Sequence, residues 1–481
     1  MNELFISITS FLDSTLFFDI LFGMGNGAKI PFVIGWLVAG GVYLTLKFNF
    51  VNLRMFRHSY RIIKGDYHTK DDVGILEPRQ SLTTALSATV GLGNIAGVAI
   101  AVSIGGPGAT FWMIMAGFLG MTLKFTEVTL SLKYRDILPD GTIIGGGMGY
   151  LRKGFAEKGF PRFGKALAVL FAIFLIGGAL GGGNAFQVSQ ALGAVSNEVS
   201  FFKTYPWVFG VIVAILTGSI IIGGVKRIGE VTEKIVPLMI IVYVGASLWI
   251  ILTNYALIPY AFTRIFTEAF VPLSVAGGMI GVIVQGFQRA IFSSEAGLGS
   301  APIAHSTAKV KYPIRQGMVA LYEPFIDTVI VCTMTALVIV ITNVCDPSHG
   351  CQALIDSKNG AGLTAEAFRT SITWFPSVLT FSIFMFAFST LISWSYYGEV
   401  AWAYLFGTKT ILLYKMIFLA FIVIATIANT GTMVDFAGIL FLAMAVPNIL
   451  GLFVMSGDVK KMLSEYMTKL KSGELDREVL R

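Results

Sequence analysis

One stretch of the chain combines helix-breaking and polar residues inside a long apolar run. Residues 87–97 read S-A-T-V-G-L-G-N-I-A-G, and the apolar run around them extends from about Leu82 to Ile104. Glycine weakens a helix interior, and backbone groups freed at membrane depth are tolerated only where they are buried in protein or line a cavity. The stretch therefore predicts a broken helix whose carbonyls and N–H groups hold a small ion or solute, as transporters do.

The same glycine pattern returns 206 positions later. Gly91-Leu92-Gly93-Asn94 recurs as Gly297-Leu298-Gly299-Ser300. The recurrence predicts a second broken helix in the corresponding position of a second half, and paired interruptions of this kind point to a binding site between the halves. Glycines that serve helix packing alone are the alternative interpretation.

The shift also pairs polar residues elsewhere, since Asn184 falls on Thr390 and Gln187 falls on Ser393. We expect these side chains to face one central cavity, together with Ser389 and Trp394. Hydrogen bonds between helices remain an alternative for the two amides. An apolar wall of the cavity remains an alternative for Trp394.

Ionisable residues at membrane depth are costly and therefore informative. Arg289 and Glu295 flank the second interruption, where Glu295 either binds a cation or proton or forms an ion pair with Arg289. Four other carboxylates lie nearer span ends and are interpreted as structural or gating residues: Glu127, Asp327, Glu399 and Asp435. The sequence contains no cluster with the ligand spacing of a transition-metal site.

The elements that position these residues are membrane helices. The 481 residues are 55% hydrophobic and 13% charged, with a mean hydropathy of +0.75, which is typical of a membrane protein. A span needs about 20 apolar residues, and eleven candidates are present. They are approximately 30–50, 82–104, 109–132, 167–195, 207–224, 231–252, 275–309, 318–342, 375–406, 411–428 and 434–454.

Basic residues collect in alternate loops between these spans. Twenty-five Lys and Arg residues fall on one side and five on the other, so the positive-inside rule puts the N-terminus outside and the C-terminus in the cytoplasm. The formal charge of +7 thus reflects orientation in a lipid bilayer of the cytoplasmic membrane and does not indicate a nucleic-acid partner.

The N-terminal segment and the three cysteines support fewer conclusions about the fold. Residues 1–26 contain no Lys or Arg, so they lack the basic region of a secretory signal, and we interpret them as an amphipathic segment on the outer face. Cys332 is expected to fill apolar space within a span. Cys345 and Cys351 share an outer loop where a disulfide is permitted but not required.

The spans and the repeat together predict the architecture. One N-terminal helix precedes two units of five helices, and an odd number of spans makes the second unit enter the membrane from the opposite side. We predict an all-α polytopic protein with a five-plus-five inverted repeat and discontinuous first helices. Residues 1–79 hold the outer segment, first helix and basic loop; 80–256 and 270–456 are the repeats; 457–481 form a cytoplasmic tail.

Three segments carry a family resemblance. S-A-T-V-G-L-G-N-I-A-G-V-A from Ser87, I-G-G-P-G-A at 104–109 and F-Q-R-A-I-F-S-S-E-A-G-L-G-S-A-P-I-A-H at 287–305 resemble the signature segments of the alanine or glycine:cation symporter family, also called sodium:alanine symporters. The resemblance covers nearly the whole chain. It implies eleven membrane helices and the LeuT-like five-plus-five fold of the amino acid-polyamine-organocation superfamily.

The resemblance also implies site residues. For the amino acid, it implies the backbone N–H groups of Leu92 and Gly93 facing the carboxylate, with Asn94, Gln187, Thr390 and Trp394 as further contacts. For sodium, it implies the carbonyls of Ser87, Val90 and Phe386 and the hydroxyls of Ser389 and Thr390. Ser293, Ser294, Glu295 and Gly297 belong to the second broken helix without an assigned role. The chain departs from the family at residues 184–190, N-A-F-Q-V-S-Q, where the family more often has N-M-V-Q-A-N-S; Ser189 and Gln190 differ.

The function implied is sodium-coupled import of small neutral amino acids, alanine or glycine, by alternating access. Proton coupling through Glu295 is one alternative, and sodium-coupled transport of a larger neutral amino acid such as glutamine is another. An enzyme is disfavoured because no nucleophile–base pair, metal cluster or phosphate loop is evident. The sequence leaves the oligomeric state open, with a monomer compatible.

Overall fold

The computed structural model describes residues 10, 14–22, 29–137, 143–270, 278–345, 351–372, 376–428 and 430–479. Within these ranges the protein is mostly helical, and its named strands form one short antiparallel pair, β1 (Asp136–Ile137) and β2 (Ile143–Ile144), with Asp136 opposite Ile144. Most of the expected amphipathic segment at residues 1–26 lies outside the described residues.

The helices of the first half run from the N-terminal span to the segment before the second interruption. They are α1 (Phe32–Lys47), α2 (Val51–Arg54), α3 (Phe56–Ile63), α4 (Pro78–Thr89), π1 (Gly93–Gly97), α5 (Val98–Gly105), α6 (Ala109–Tyr134), α7 (Gly147–Glu157), α8 (Pro161–Leu180), π2 (Gly181–Phe186), α9 (Gln187–Glu198), α10 (Phe201–Thr204), α11 (Pro206–Ile221), α12 (Gly224–Thr253), a 3-10 turn (Tyr255–Leu257) and α13 (Ile258–Phe270).

The helices of the second half begin at the second interrupted segment and end near the C-terminus. They are α14 (Gly278–Ser294), α15 (Pro302–His305), α16 (Pro313–Ala320), α17 (Tyr322–Pro324), π3 (Phe325–Cys332), α18 (Thr333–Thr342), α19 (Gln352–Asp356), α20 (Gly360–Ser371), α21 (Pro376–Phe406), a 3-10 turn (Thr408–Thr410), α22 (Ile411–Ile427), α23 (Thr430–Ala443), α24 (Ala445–Lys471) and α25 (Glu474–Val479).

The first predicted break is confirmed. Helix α4 starts with Pro78 in its first turn, and Glu77 and Gln80 form a capping box there, which satisfies otherwise free backbone N–H groups. The helix stops at Thr89, and the chain resumes in π1 at Gly93 with its axis bent by 51°. Residues 90–92 thus expose backbone groups in the middle of an apolar segment.

The second predicted break is confirmed as well. Helix α14 ends at Ser294, and the next regular turn starts at Pro302. Between them three residues take left-handed backbone angles, with φ of 56° at Glu295, 87° at Gly297 and 78° at Gly299. Glycine adopts such angles without strain, which explains the G-L-G pattern of this segment.

The number of spans is supported only in part. Among the described residues, seven helical stretches are long and apolar enough to cross a membrane, and the bent pair formed by α4 with π1 and α5 raises this to as many as eight. Helices α1 and α11 are apolar but shorter. The count of eleven and the inverted repeat remain predictions.

Helix α21 organises the packing around the first break, since it contacts α4, α8, α9 and α12. Helix α6 packs against α14 and α16, and α20 lies over π1. Thr364 of α20 donates a hydrogen bond to the Ile95 carbonyl, so the segment before α21 covers the first broken helix. Among the described residues, no disulfide joins Cys345 to Cys351.

Candidate functional site

A cluster of oxygen atoms joins α4 to α21 just below the first break. The Ser87 carbonyl accepts hydrogen bonds from Thr390 Oγ1 at 3.2 Å and Ser389 Oγ at 3.5 Å. Ser389 Oγ also donates to the Phe386 carbonyl at 3.0 Å, and Ser87 Oγ donates to the Ser389 carbonyl at 2.9 Å. We call Ser87, Phe386, Ser389 and Thr390 the oxygen cluster.

The chemistry of the oxygen cluster suits a hard monovalent cation. Its four residues are each at most 1% exposed, and they offer neutral carbonyl and hydroxyl oxygens of the kind that hard cations prefer. Among the described residues there is no group of three or more His, Cys, Asp or Glu that could hold a metal. Val90, the fifth predicted ligand, is buried in the neighbouring turn.

The break itself presents backbone N–H groups to polar side chains. The Gly91 N–H donates to Asn94 Oδ1 at 2.8 Å, and the Leu92 N–H donates to Gln187 Oε1 at 3.1 Å. Gln187 Nε2 in turn donates to the Gly182 carbonyl at 3.0 Å. The start of π1 is thus an arrangement of N–H donors and amides that suits a carboxylate.

At two glycines of the break, close neighbours leave little room for a side chain. A Cβ on Gly91 would lie 2.4 Å from Thr390 Oγ1 and 3.3 Å from Gln187 Oε1. A Cβ on Gly93 would lie 3.0 Å from the Ser293 Cα, where the two broken helices meet backbone to backbone. Gly97 differs, since a Cβ there would meet no atom of the described residues within 4 Å.

Asp327 links the two broken helices, a role that its predicted place near a span end does not suggest. Asn94 Nδ2 donates to Asp327 Oδ1 at 2.6 Å, and Ser293 Oγ donates to Asp327 Oδ2 at 2.9 Å. Thr328 Oγ1 adds a third bond at 2.8 Å. Asp327 is fully buried; the sequence signal that marks it is an acidic residue within an apolar run.

Glu295 and Trp394 bind each other. The Trp394 indole Nε1 donates to Glu295 Oε1 at 2.8 Å, and Ser300 Oγ donates to Glu295 Oε2 at 2.5 Å. The alternative of an ion pair between Glu295 and Arg289 is wrong in the part of the chain that the structure describes, because both Glu295 carboxylate oxygens bind Trp394 and Ser300 instead. Trp394 therefore connects α21 to the second break.

Two buried polar residues, Glu127 and Asn448, bind the backbone of the second break at Gly297 and Gly299. Glu127 Oε1 accepts from the Gly299 N–H at 3.2 Å and from Asn448 Nδ2 at 2.6 Å, and Asn448 also donates to the Gly297 carbonyl at 2.8 Å. A Cβ on Gly297 would lie 2.3 Å from Leu37. These contacts assign Gly297 a structural role. Ser294 donates to the Ala290 carbonyl of its own helix.

Asn184 and Gln187, the two amide residues of the fourth predicted span, bind different parts of the protein. Gln187 reaches the first break, but Asn184 Nδ2 donates to the Phe418 carbonyl of α22 at 2.8 Å, so its amide nitrogen is directed away from Gln187. Ser189 bonds to its own helix, and Gln190 bonds to Lys358 and Ala361 at the start of α20. The hydrogen bonds of the two residues that depart from the family pattern thus go to residues other than 91–94.

Comparisons with known proteins show what the whole chain is similar to. The model of the sodium:alanine symporter family matches residues 18–480. The sodium/alanine symporter AgcS of Methanococcus maripaludis is 39% identical over 89% of this chain and 92% of its own. The probable sodium/glutamine symporter GlnT of Bacillus subtilis is 32% identical over 91% of this chain and 88% of its own.

A putative sodium/proton-dependent alanine carrier protein, YrbD of Bacillus subtilis, is 36% identical over 73% of this chain and 71% of its own. A solved mutant form of the manganese transporter of Eremococcus coleocola aligns over 81% of this chain and 82% of its own, with a TM-score of 0.49 and 13% identity. This last likeness is too weak to carry an argument.

Proposed function

Because the chain belongs to the sodium:alanine symporter family, we propose that it imports alanine or glycine together with sodium. As a membrane transporter it is not an enzyme. The observation that carries the proposal is the contact between the oxygen cluster and the break: Thr390 bonds to the Ser87 carbonyl and lies against Gly91. A cation and an amino acid bound there would share α4 and α21.

In this proposal sodium takes the carbonyls of Ser87, Val90 and Phe386 and the hydroxyls of Ser389 and Thr390. The amino acid carboxylate faces the N–H groups of Leu92 and Gly93. Its other contacts are Asn94, Gln187, Thr390 and Trp394. Sodium binding between α4 and α21 favours one arrangement of these helices, so coupling is a difference in amino acid affinity between two states.

The proposal includes the membrane arrangement. Eleven spans place the N-terminus outside and the C-terminus in the cytoplasm, and residues 80–256 and 270–456 form the inverted repeats. Two broken helices meeting at Gly93 and Ser293 support this arrangement, because discontinuous helices of paired repeats form the midplane site in such transporters.

Uptake of labelled alanine and glycine into proteoliposomes tests the function. We expect an inward sodium gradient to drive accumulation of at least one of them, and replacement of sodium by choline at clamped pH to abolish it. Accumulation that is unaffected by choline would contradict the proposal.

Gln187→Ala tests the amino acid site. Gln187 Oε1 holds the Leu92 N–H, which is proposed to face the carboxylate. The substitution removes a substrate contact and the side chain that orients this N–H, so we expect the KM for alanine to rise about tenfold, with a thermal midpoint within a few degrees of wild type. Ser189→Ala, on the same helix but bonded only within it, is the matched control. A wild-type KM in Gln187→Ala would remove this residue from the site.

Proton coupling is a second candidate, favoured by the buried carboxylate of Glu295 at the second break. It predicts a substrate-evoked pH change that persists without sodium and is lost in Glu295→Gln. The relative named as a probable sodium/glutamine symporter keeps glutamine as a candidate substrate, so glutamine competition belongs in the same uptake assay.

A further inference from the structure

A second cavity, separate from the oxygen cluster, lies beside the second broken helix. It has a volume of about 630 Å³, within the roughly 300–1,000 Å³ typical of small-molecule sites. Its wall includes Lys29, Gln288, Arg289, Phe292 and Asp435. In the proposed topology these residues lie toward the outer face.

Arg289 is the unusual member of this wall. It is 6% exposed, and its guanidinium Nε has no hydrogen-bond partner among the residues that the structure describes. Glu295, the acid nearest to it in sequence at the break, is held by Trp394 and Ser300 instead. Asp435 acts on Arg289 electrostatically across the cavity, but its carboxylate pairs with Lys358. A buried guanidinium without a direct ion pair is costly, so Arg289 retains N–H donors for an anionic group of a ligand.

The same cavity also offers a negative charge. Asp435 Oδ1 pairs with Lys358 Nζ at 2.6 Å, yet the Asp435 side chain is still 54% exposed. Asp19, also on the wall, uses Oδ1 to accept the N–H groups of Leu21 and Ile30. Arg289 and Asp435 thus place a buried cation and an accessible carboxylate around one space.

We propose that this cavity is an outer docking site for a zwitterionic α-amino acid, with the carboxylate on Arg289 and the ammonium group toward Asp435. Guanidinium groups bind carboxylates through two parallel N–H bonds, which favours a carboxylate over a neutral solute. The inference rests on the proposed function, because the docked solute is the transported amino acid.

Phe292 separates the docking site from the central site. It lines the cavity, and its ring packs against Phe186 at 4.7 Å and Phe441 at 4.9 Å between centroids. The next residue, Ser293, already bonds to Asp327 on the inner side. A solute at Arg289 therefore binds first, and displacement of the Phe292 ring admits it to the break.

Saturation-transfer NMR with L-alanine on the purified full chain, in choline and without sodium, tests the docking site. We expect a methyl signal from wild type and from Gln187→Ala that excess propionate removes, because propionate carries the same carboxylate. Arg289→Ala should lose the signal and Arg289→Lys should keep part of it. Arg369→Ala removes an exposed arginine paired with Glu366 and should keep the signal.

Uptake kinetics give the second readout. We expect Arg289→Ala to raise the KM for alanine about tenfold while the maximal rate stays within about twofold of wild type. An unchanged signal in Arg289→Ala, a wild-type signal that propionate does not displace, or no wild-type signal in choline would overturn the docking site. Failure of the proposed function is distinct: sodium would then not stimulate uptake in wild type.

Discussion

Gly91→Ala is expected to abolish sodium-driven alanine uptake while the protein still inserts and folds. The added methyl group would lie 2.4 Å from Thr390 Oγ1, and Thr390 donates to the Ser87 carbonyl. Relief of this overlap either turns the Thr390 hydroxyl away from the Ser87 carbonyl or moves residues 90–92 away from α21, and both changes displace an oxygen proposed to hold sodium. Overpacking of this kind costs about 1–3 kcal/mol, and the strain falls on the oxygen cluster.

Gly97→Ala is the matched control for this substitution. Both glycines lie in the first broken helix, but a Cβ on Gly97 meets no atom of the described part of the chain within 4 Å. Uptake rates and sodium titrations of the two variants, normalised to protein in the vesicles, give the comparison. Equal activity of Gly91→Ala and Gly97→Ala would show that the contact between Gly91 and Thr390 is not required.

Asp327→Asn is expected to lower the uptake rate about 100-fold. Asp327 accepts hydrogen bonds from Asn94 of the first broken helix and Ser293 of the second, and a buried donor left without its acceptor costs about 1–3 kcal/mol. The substitution keeps the shape but replaces one acceptor oxygen by a donor. The two breaks then lose their common anchor, and alanine affinity and transport fall together.

Thr333→Val is the control for Asp327→Asn. The hydroxyl that it removes lies on the same helical stretch and has no hydrogen-bond partner among the described residues, so uptake should remain near wild type. Binding of labelled alanine in the presence of sodium, measured on both variants, distinguishes a loss of alanine affinity from a loss of the conformational change that transports it. Wild-type binding and uptake in Asp327→Asn would contradict the role of Asp327 as a link.

Both interruptions were predictable from the sequence, because glycine and polar residues inside an apolar run weaken the helix at membrane depth. The structure adds the reason for each glycine: Gly93 allows backbone contact with Ser293, and Gly297 has a left-handed backbone. The contact of Ser87 with Ser389 and Thr390 joins residues about 300 positions apart. Local sequence patterns do not predict such a contact, and only the family resemblance implied it.

The orientation of the fourth predicted span was not predictable. Asn184 and Gln187 are three residues apart and would share a face of a regular α-helix. Residues 181–186 form a π-helical turn instead, and the wider turn changes the phase of the helix. Gln187 consequently reaches Leu92, and Asn184 reaches Phe418.

A π-helical segment also explains why the linking role of Asp327 was not predicted. It lies within the π-helical segment Phe325–Cys332, and sequence position alone puts it near a span end. Only the packing of π3 against π1 and α14 brings its carboxylate between Asn94 and Ser293. The partner of Glu295 depends in the same way on the left-handed turn at the second break.

Alanine-driven uptake of ²²Na⁺ tests the central claim, coupled movement of sodium and a small amino acid, most directly. Proteoliposomes with equal sodium on both sides receive external L-alanine at clamped pH and voltage. The account predicts ²²Na⁺ entry in wild type that is lost in Thr390→Ala, whose missing hydroxyl belongs to the oxygen cluster. Alanine entry without any accompanying ²²Na⁺ would contradict it.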